Sequence, residues 1–283
     1  MIVLLGSGNS LTQKKKPFHK PGLAKIRPPN KRNLAFPELF IRLNRFMFMT
    51  RILPFLILLL FYSCTKKEWT PFTDVSTPVT IPPPAATFLA LGDSYTIGQA
   101  VPASERFPAQ TVALLKGVGI QIDAPTYIAA TGWTTFDLED AINRNKPVNH
   151  TVVSLLIGVN DQYQWGDTTG YRQRFTGLLQ TAIRLANGKK ENVVVLSIPD
   201  YSVTPYARGF DTALIRIQLD QFNAINKEVT GGFQCAYLNI TPLTREGRTN
   251  ASLIAGDGLH PSGLEYKRWA EQLANLLAPV LKK

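Results

Sequence analysis

TFLALGDSYTIG, Thr87–Gly98, joins an apolar run of strand length to a Gly-Asp-Ser turn. A strand with one wet face alternates apolar and polar residues, whereas a run that is apolar at nearly every position is covered on both faces. The run Thr87–Leu91 is of the second kind, and four more follow it at Tyr127–Ala130, Thr151–Ile157, Val193–Ile198 and Cys235–Ile240. Helical periodicity lies between and after them. Tyr171, Phe175, Leu178, Ala182 and Leu185 recur every three or four residues, as do Leu214, Ile217 and Ile225 with Phe222 on an adjoining row, and Leu273, Leu276 and Val280. The last helix is expected to open at Pro261 with a Ser262 to Glu265 capping box. Parallel strands need crossovers, so strands alternating with helices predict a three-layer α/β/α sandwich on a five-stranded parallel sheet, flavodoxin-like in order.

Such sheets place their sites at the carboxyl ends of the strands. Three polar clusters fall there: Gly92, Asp93 and Ser94 after the first strand, Gly158 to Asp161 after the third, and Asp257 to Pro261 before the last helix. All three should face one edge. Asp93 and Asp161 are read as residues that bond the local backbone and orient their loops.

Charge is distributed unevenly along the 283 residues. The formal net charge is +11, but residues 1–63 hold 11 Lys and Arg against Glu38 alone, which leaves 20 bases facing 19 acids. A nearly neutral remainder lacks the clustered cations that grip phosphate backbones, so no nucleic-acid partner is expected. The segment RILPFLILLLFYSC, Arg51–Cys64, has a positive start and an apolar run from Ile52 to Tyr62. At ~1.5 Å per helical residue such a run is far shorter than a ~30 Å hydrocarbon core. It therefore reads as a secretory signal rather than a membrane span.

The ending LFYSC resembles a bacterial lipoprotein signal, which implies cleavage before Cys64, lipid attachment there and a membrane-anchored, exported chain. An ordinary signal cut nearby, leaving a soluble secreted protein, stays open. Translation from Met47 or Met49 would leave the basic leader 1–46 outside the protein. The expected organisation is thus a leader over 1–46, a signal over 47–63, a Pro-rich tether over 64–84 and one domain over 85–283, monomeric. Extended at ~3.1 Å per residue, the tether could hold the domain roughly 60 Å from a membrane. Cys235, without a partner once Cys64 is acylated, is expected to pack as a small apolar residue.

The domain carries a further resemblance. FLALGDSYTIG is similar to the nucleophile block of the GDSL or SGNH hydrolase family, AATGWTTFDL to its glycine block, IGVND to its asparagine block and DGLHP to its Asp-x-x-His block. Taken in that order they span about Thr87–Leu281. The resemblance implies a serine hydrolase of carboxylic esters with Ser94, His260 and Asp257 as triad. It also implies an oxyanion hole made of the Ser94 and Gly132 amides and the Asn160 side chain.

The residue types suit that chemistry. A serine hydroxyl needs a base during attack. His19 lies in the leader and His150 at the amino end of the third strand, which leaves His260. Imidazole can take the proton and return it to the leaving alkoxide, and a carboxylate three residues earlier can fix its tautomer. Gly132 allows close backbone approach. Ser94 is expected where the Ser94–Gly98 turn leads into a helix whose dipole would favour an oxyanion. Tyr95, Trp133, Tyr163 and Trp165 are candidates for the substrate pocket, with Phe136, Tyr201 and Tyr206 nearby. Neither a metal-ligand cluster nor a phosphate loop is present in the sequence, so no metal and no cofactor is expected. Lysophospholipids, thioesters and acylated glycans all remain open as substrates. An alternative is a weakly active or inactive tethered binding protein for glycans or acyl chains. Another is an adaptor working through the basic leader, which requires residues 1–46 in the mature chain.

Overall fold

The computed structural model describes residues 84–282. The leader, the signal, Cys64 and all but the last tether residue lie outside the described residues. Five strands form one sheet: β1 (Phe88–Gly92), β2 (Thr126–Ala129), β3 (Val152–Leu156), β4 (Val193–Leu196) and β5 (Ala236–Leu238). Their order is β2-β1-β3-β4-β5 and every pairing is parallel. Each falls within or one residue beyond an apolar run of the sequence. In β1, β3 and β4 every residue is buried, as continuous apolarity requires.

The helices are α1 (Phe107–Gly117), α2 (Thr135–Asn145), α3 (Val159–Trp165), α4 (Tyr171–Leu185), α5 (Thr212–Gly232), α6 (Thr241–Arg245) and α7 (Gly263–Leu281). Chain direction along the sheet reverses after β2, and right-handed crossovers then put α1 on one face and α2, α4 and α5 on the other. After β5 the chain returns so that α7 packs along α1. Phe107 of α1 meets Tyr266 and Trp269 of α7 at ring-centroid distances of 6.3 and 6.0 Å, all three fully buried. Emptying such a site, as in Trp269→Ala, costs roughly 3 to 5 kcal/mol.

The α4 periodicity holds in full: Tyr171, Phe175, Leu178, Ala182 and Leu185 are all buried. Two other helical faces are corrected. In α5 the buried row is Ile215, Leu219, Phe222 and Val229, while Leu214 and Ile217 face solvent. In α7 it is Tyr266, Trp269, Leu273 and Leu277, while Leu276 is exposed. Both helices carry two apolar rows, and the row with the larger aromatic surface wins the core because burial scales with apolar area. The start of α7 also differs. Pro261 lies before the cap in a bridge with Ile254, and Ser262 caps the helix by accepting from the Glu265 amide at 3.3 Å. The Glu265 carboxylate turns instead to Trp269 Nε1 (2.8 Å) and Arg268 (2.9 Å), so only half of the capping box forms.

Candidate active site

The strand order changes direction between β1 and β3, the place where open parallel sheets leave a crevice. Ser94 follows β1 and Asn160 follows β3, so both clusters open into it. Ser94 sits in a turn that Asp93 builds: the Asp93 carbonyl accepts from the Thr96 and Ile97 amides, and Asp93 Oδ1 accepts from the Tyr95 amide at 3.0 Å. This is the local backbone bonding expected of Asp93. No helix begins at Ser94, however; α1 starts at Phe107 after a 3-10 turn at Ala103–Glu105, so no helix dipole acts at the hydroxyl.

The loop before α7 returns His260 to the same place. His260 Nε2 lies 2.9 Å from Ser94 Oγ, and His260 Nδ1 lies 2.6 Å from Asp257 Oδ2. A carboxylate only accepts, so Nδ1 carries the proton and Nε2 is left to receive one from the serine. Asp257 Oδ1 accepts the Leu259 and His260 amides, each at 3.0 Å, which folds the Asp-x-x-His segment into the turn that presents the imidazole. Partial burial works against the Asp257 charge. The bonds from the His260 ring and the two amides outweigh it and hold the carboxyl below its ordinary value. Tyr95 packs on the imidazole with ring centroids 5.3 Å apart. His150 is buried at the amino end of β3, its Nδ1 2.8 Å from the Val148 carbonyl, on the opposite edge.

Asn160 lies in the first turn of α3, which the sequence did not reveal as a helix. Gly158, just before it, has φ of 121°, and a Cβ there would come within 2.2 Å of Tyr171 Oη, so only glycine fits. Asn160 Nδ2 donates to the Trp133 carbonyl at 2.9 Å, with its second amide proton still available. Gly132 precedes that carbonyl at φ 81°, and nothing lies within 4 Å of where its Cβ would be. Its backbone conformation favours glycine, and the space beside it is open. Thr134 and Asp137 form a reciprocal capping box that fixes the start of α2 directly behind the glycine.

Two buried carboxyls flank these groups. Burial, reinforced by the nearby Asp161 charge, pushes the Asp93 carboxyl up to about 8 against the pull of the Tyr95 amide. Among the described residues Asp93 Oδ2 has no partner. Asp161 departs from expectation: it bonds across 26 residues to Thr135, accepting its amide at 2.9 Å and its hydroxyl at 2.5 Å. Burial raises the Asp161 carboxyl, opposed by the Thr135 bonds and by Arg174.

A cavity of about 100 Å³ opens beside Ser94 and His260, lined by Tyr95, Tyr163, Tyr201, Tyr206 and Leu259. Tyr163 Oη and Tyr206 Oη are 3.0 Å apart at its rim. Of the four pocket candidates, Tyr95 and Tyr163 line this cavity. Trp133 offers its carbonyl to Asn160, and Trp165 turns away to stand edge-on to Phe136 at 6.1 Å. Leu259 was missed although its place between Asp257 and His260 put it within reach of the site. Among the described residues no three His, Cys, Asp or Glu side chains are grouped to hold a metal ion. Together these groups can transfer a proton from a hydroxyl to a ring and offer amide donors nearby.

The GDSL-like lipase/acylhydrolase family matches residues 90–268, more than half of the chain. The chain belongs to that family. It is accordingly a carboxylic ester hydrolase. Solved structures share the fold at low identity. The lipase/acylhydrolase from Enterococcus faecalis is 19% identical at a TM-score of 0.54, with 69% of this chain and 96% of that one covered. TesA is 19% identical at 0.52, over 69% and 99% of the two chains. The acetyl xylan esterase AlAXEase is 16% identical at 0.53, over 67% and 98%. A search of curated proteins found no match.

Proposed function

We propose that the chain cleaves short O-acyl esters, carried on glycans of a cell envelope or its surroundings, through a Ser94 acyl-enzyme. Ser94 Oγ attacks the ester carbonyl as its proton passes to His260 Nε2, and Asp257 stabilises the imidazolium. The Ser94 and Gly132 amides and Asn160 Nδ2 receive the negative charge on the former carbonyl oxygen, where one such donor is worth roughly 3 to 4 kcal/mol. Collapse expels the alkoxide, which takes the proton from His260. Water then attacks the acyl-enzyme, giving its proton to His260, and the second collapse returns that proton to Ser94 and releases the carboxylic acid.

The observation that carries this is the unbroken line from Ser94 Oγ to His260 to Asp257, at 2.9 and 2.6 Å. Supporting a short acyl group is the cavity beside Ser94, about 100 Å³, smaller than an apolar cavity of ~150 Å³ that binds benzene. Supporting a sugar is the rim of exposed rings, Tyr163, Tyr206 and Phe210, held by their contacts with one another. The same proposal has the chain exported and anchored through lipid at Cys64; the intact mass of the native product tests that part.

Hydrolysis of p-nitrophenyl acetate by the protein and by Ser94→Ala tests the chemistry, and equal rates in the two would remove it. An acyl-length series on the native enzyme tests the substrate. Preference for acetyl supports the glycan assignment, and preference for long chains replaces it with a lysophospholipid.

A further inference from the structure

Arg174, on α4, reaches both segments that carry the proposed oxyanion donors. From the segment after Gly132 it takes one polar and one aromatic neighbour: its Nε donates to Thr135 Oγ1 at 2.9 Å, and its guanidinium lies 4.5 Å from the centre of the Phe136 ring. From the segment of Asn160 it takes another such pair. Nη2 lies 3.5 Å from Asp161 Oδ1, and the guanidinium lies 5.3 Å from the Trp165 ring. Because Arg174 occupies the acceptor side of the Thr135 hydroxyl, that hydroxyl has its proton directed at Asp161 Oδ1, 2.5 Å away. The Thr135 amide bonds the other carboxylate oxygen at 2.9 Å. With the Asn160 to Trp133 bond, the two segments are tied at two points.

The Asp161 side chain is fully buried and that of Arg174 is 16% exposed. Burying such a pair adds little stability over apolar packing, because desolvation offsets the attraction. What directional bonds supply, and apolar contacts do not, is a fixed spacing. We propose that Arg174 is a positioning residue which, through Thr135 and Asp161, sets the separation of the Gly132 amide from the Asn160 side chain. The proposal rests on the assignment of those two groups as oxyanion donors. A misplacement of about 1 Å in a catalytic group costs on the order of a hundredfold in rate, and removing a donor outright costs ~10² to 10³. Loosening the brace should fall below both.

The test measures two quantities on the full chain: kcat and KM for p-nitrophenyl acetate, and the rate at which a fluorophosphonate labels Ser94. Arg174→Met keeps the bulk and removes the bonds. It is expected to slow kcat and labelling about tenfold each while KM stays within about twofold. Arg174→Lys, which lacks the planar fork, should not restore the rate. Thr135→Val should give a loss of the same kind, and the double variant should be no slower than the worse single one. Rates within twofold of wild type in Arg174→Met, a loss confined to KM, or losses that multiply in the double variant would each overturn the proposal. If Arg174→Met does not fold, Thr135→Val decides, and full rates there overturn it. A wild-type chain that is not labelled at Ser94 removes the nucleophile assignment and this proposal together. A labelled wild type with unaffected variants removes the brace alone.

Discussion

Replacing Asp93 by Asn should change how stability depends on pH. The carboxyl is 1% exposed, one oxygen holds the Tyr95 amide, the other has no partner among the described residues, and burial with the Asp161 charge pushes it up to about 8. Folded chains therefore keep a proton that unfolded chains release above about 4. Rising pH favours unfolding across that interval. Below it both states are protonated and the group contributes nothing; above about 8 both are charged and the cost stays constant. At ~1.4 kcal/mol per pH unit, the rise from 3.8 to about 8 sets an upper bound on the order of 6 kcal/mol, of which roughly 3 to 4 kcal/mol falls between pH 5 and 8. Water entry on ionisation lowers this bound. Asparagine keeps the acceptor for the Tyr95 amide and has nothing to release. Urea unfolding followed by tryptophan fluorescence at several pH values should show Asp93→Asn gaining on wild type as pH rises from 5 to 8. Taking the difference cancels the titrating groups that do not interact with Asp93, which leaves out Asp161. A difference that stays flat over that range refutes the buried proton.

Other perturbations have expected outcomes of their own. Gly158→Ala combines a φ of 121° with a Cβ driven against Tyr171 Oη, and should cost roughly 3 kcal/mol or more in urea unfolding; a cost below about 1 kcal/mol contradicts the crowding. Truncating both Tyr163 and Tyr206 to Ala should raise KM for acetylated oligosaccharides by about fivefold to a hundredfold, on ~0.5 to 1.5 kcal/mol for each of two stacked rings, and an unchanged KM would leave the rim without a role in sugar binding. The Cys235 thiol is pushed up to about 11 by burial, so at pH 8 only about one in a thousand is ionised. Iodoacetamide should modify it more slowly in native protein than in denaturant, as read by intact mass; equal rates would contradict its partial burial.

The strands were legible because each is a short apolar run with no competing period, and the placing of Ser94, His260 and Asp257 at one edge because they occupy turns that local bonds dictate. Asp93 and Asp257 bond amides two or three residues away, a distance that a sequence displays directly. The brace was not legible. Asp161 and Thr135 are 26 residues apart, Arg174 and Thr135 are 39, and nothing in either spacing says that three helices bring them together. The pocket was half visible for a related reason. Tyr163 and Trp165 stand two positions apart on α3, so the helix turns one toward Ser94 and the other toward Phe136, while a loop would have allowed both to face the cavity. The faces of α5 and α7 failed differently: each offered two apolar rows, and only packing against the sheet and α1 chooses between them.

Ser94 leaves the first strand and His260 precedes the last helix, 166 positions later. The pair therefore exists only once the segment before α7 has been brought back to the end of β1. A chain that ends before His260, however complete its sheet, holds an alcohol without the imidazole that lies 2.9 Å from it in the finished fold. On the proposed mechanism turnover thus reports finished molecules: a chain cut before His260 should be about as slow as one without the hydroxyl.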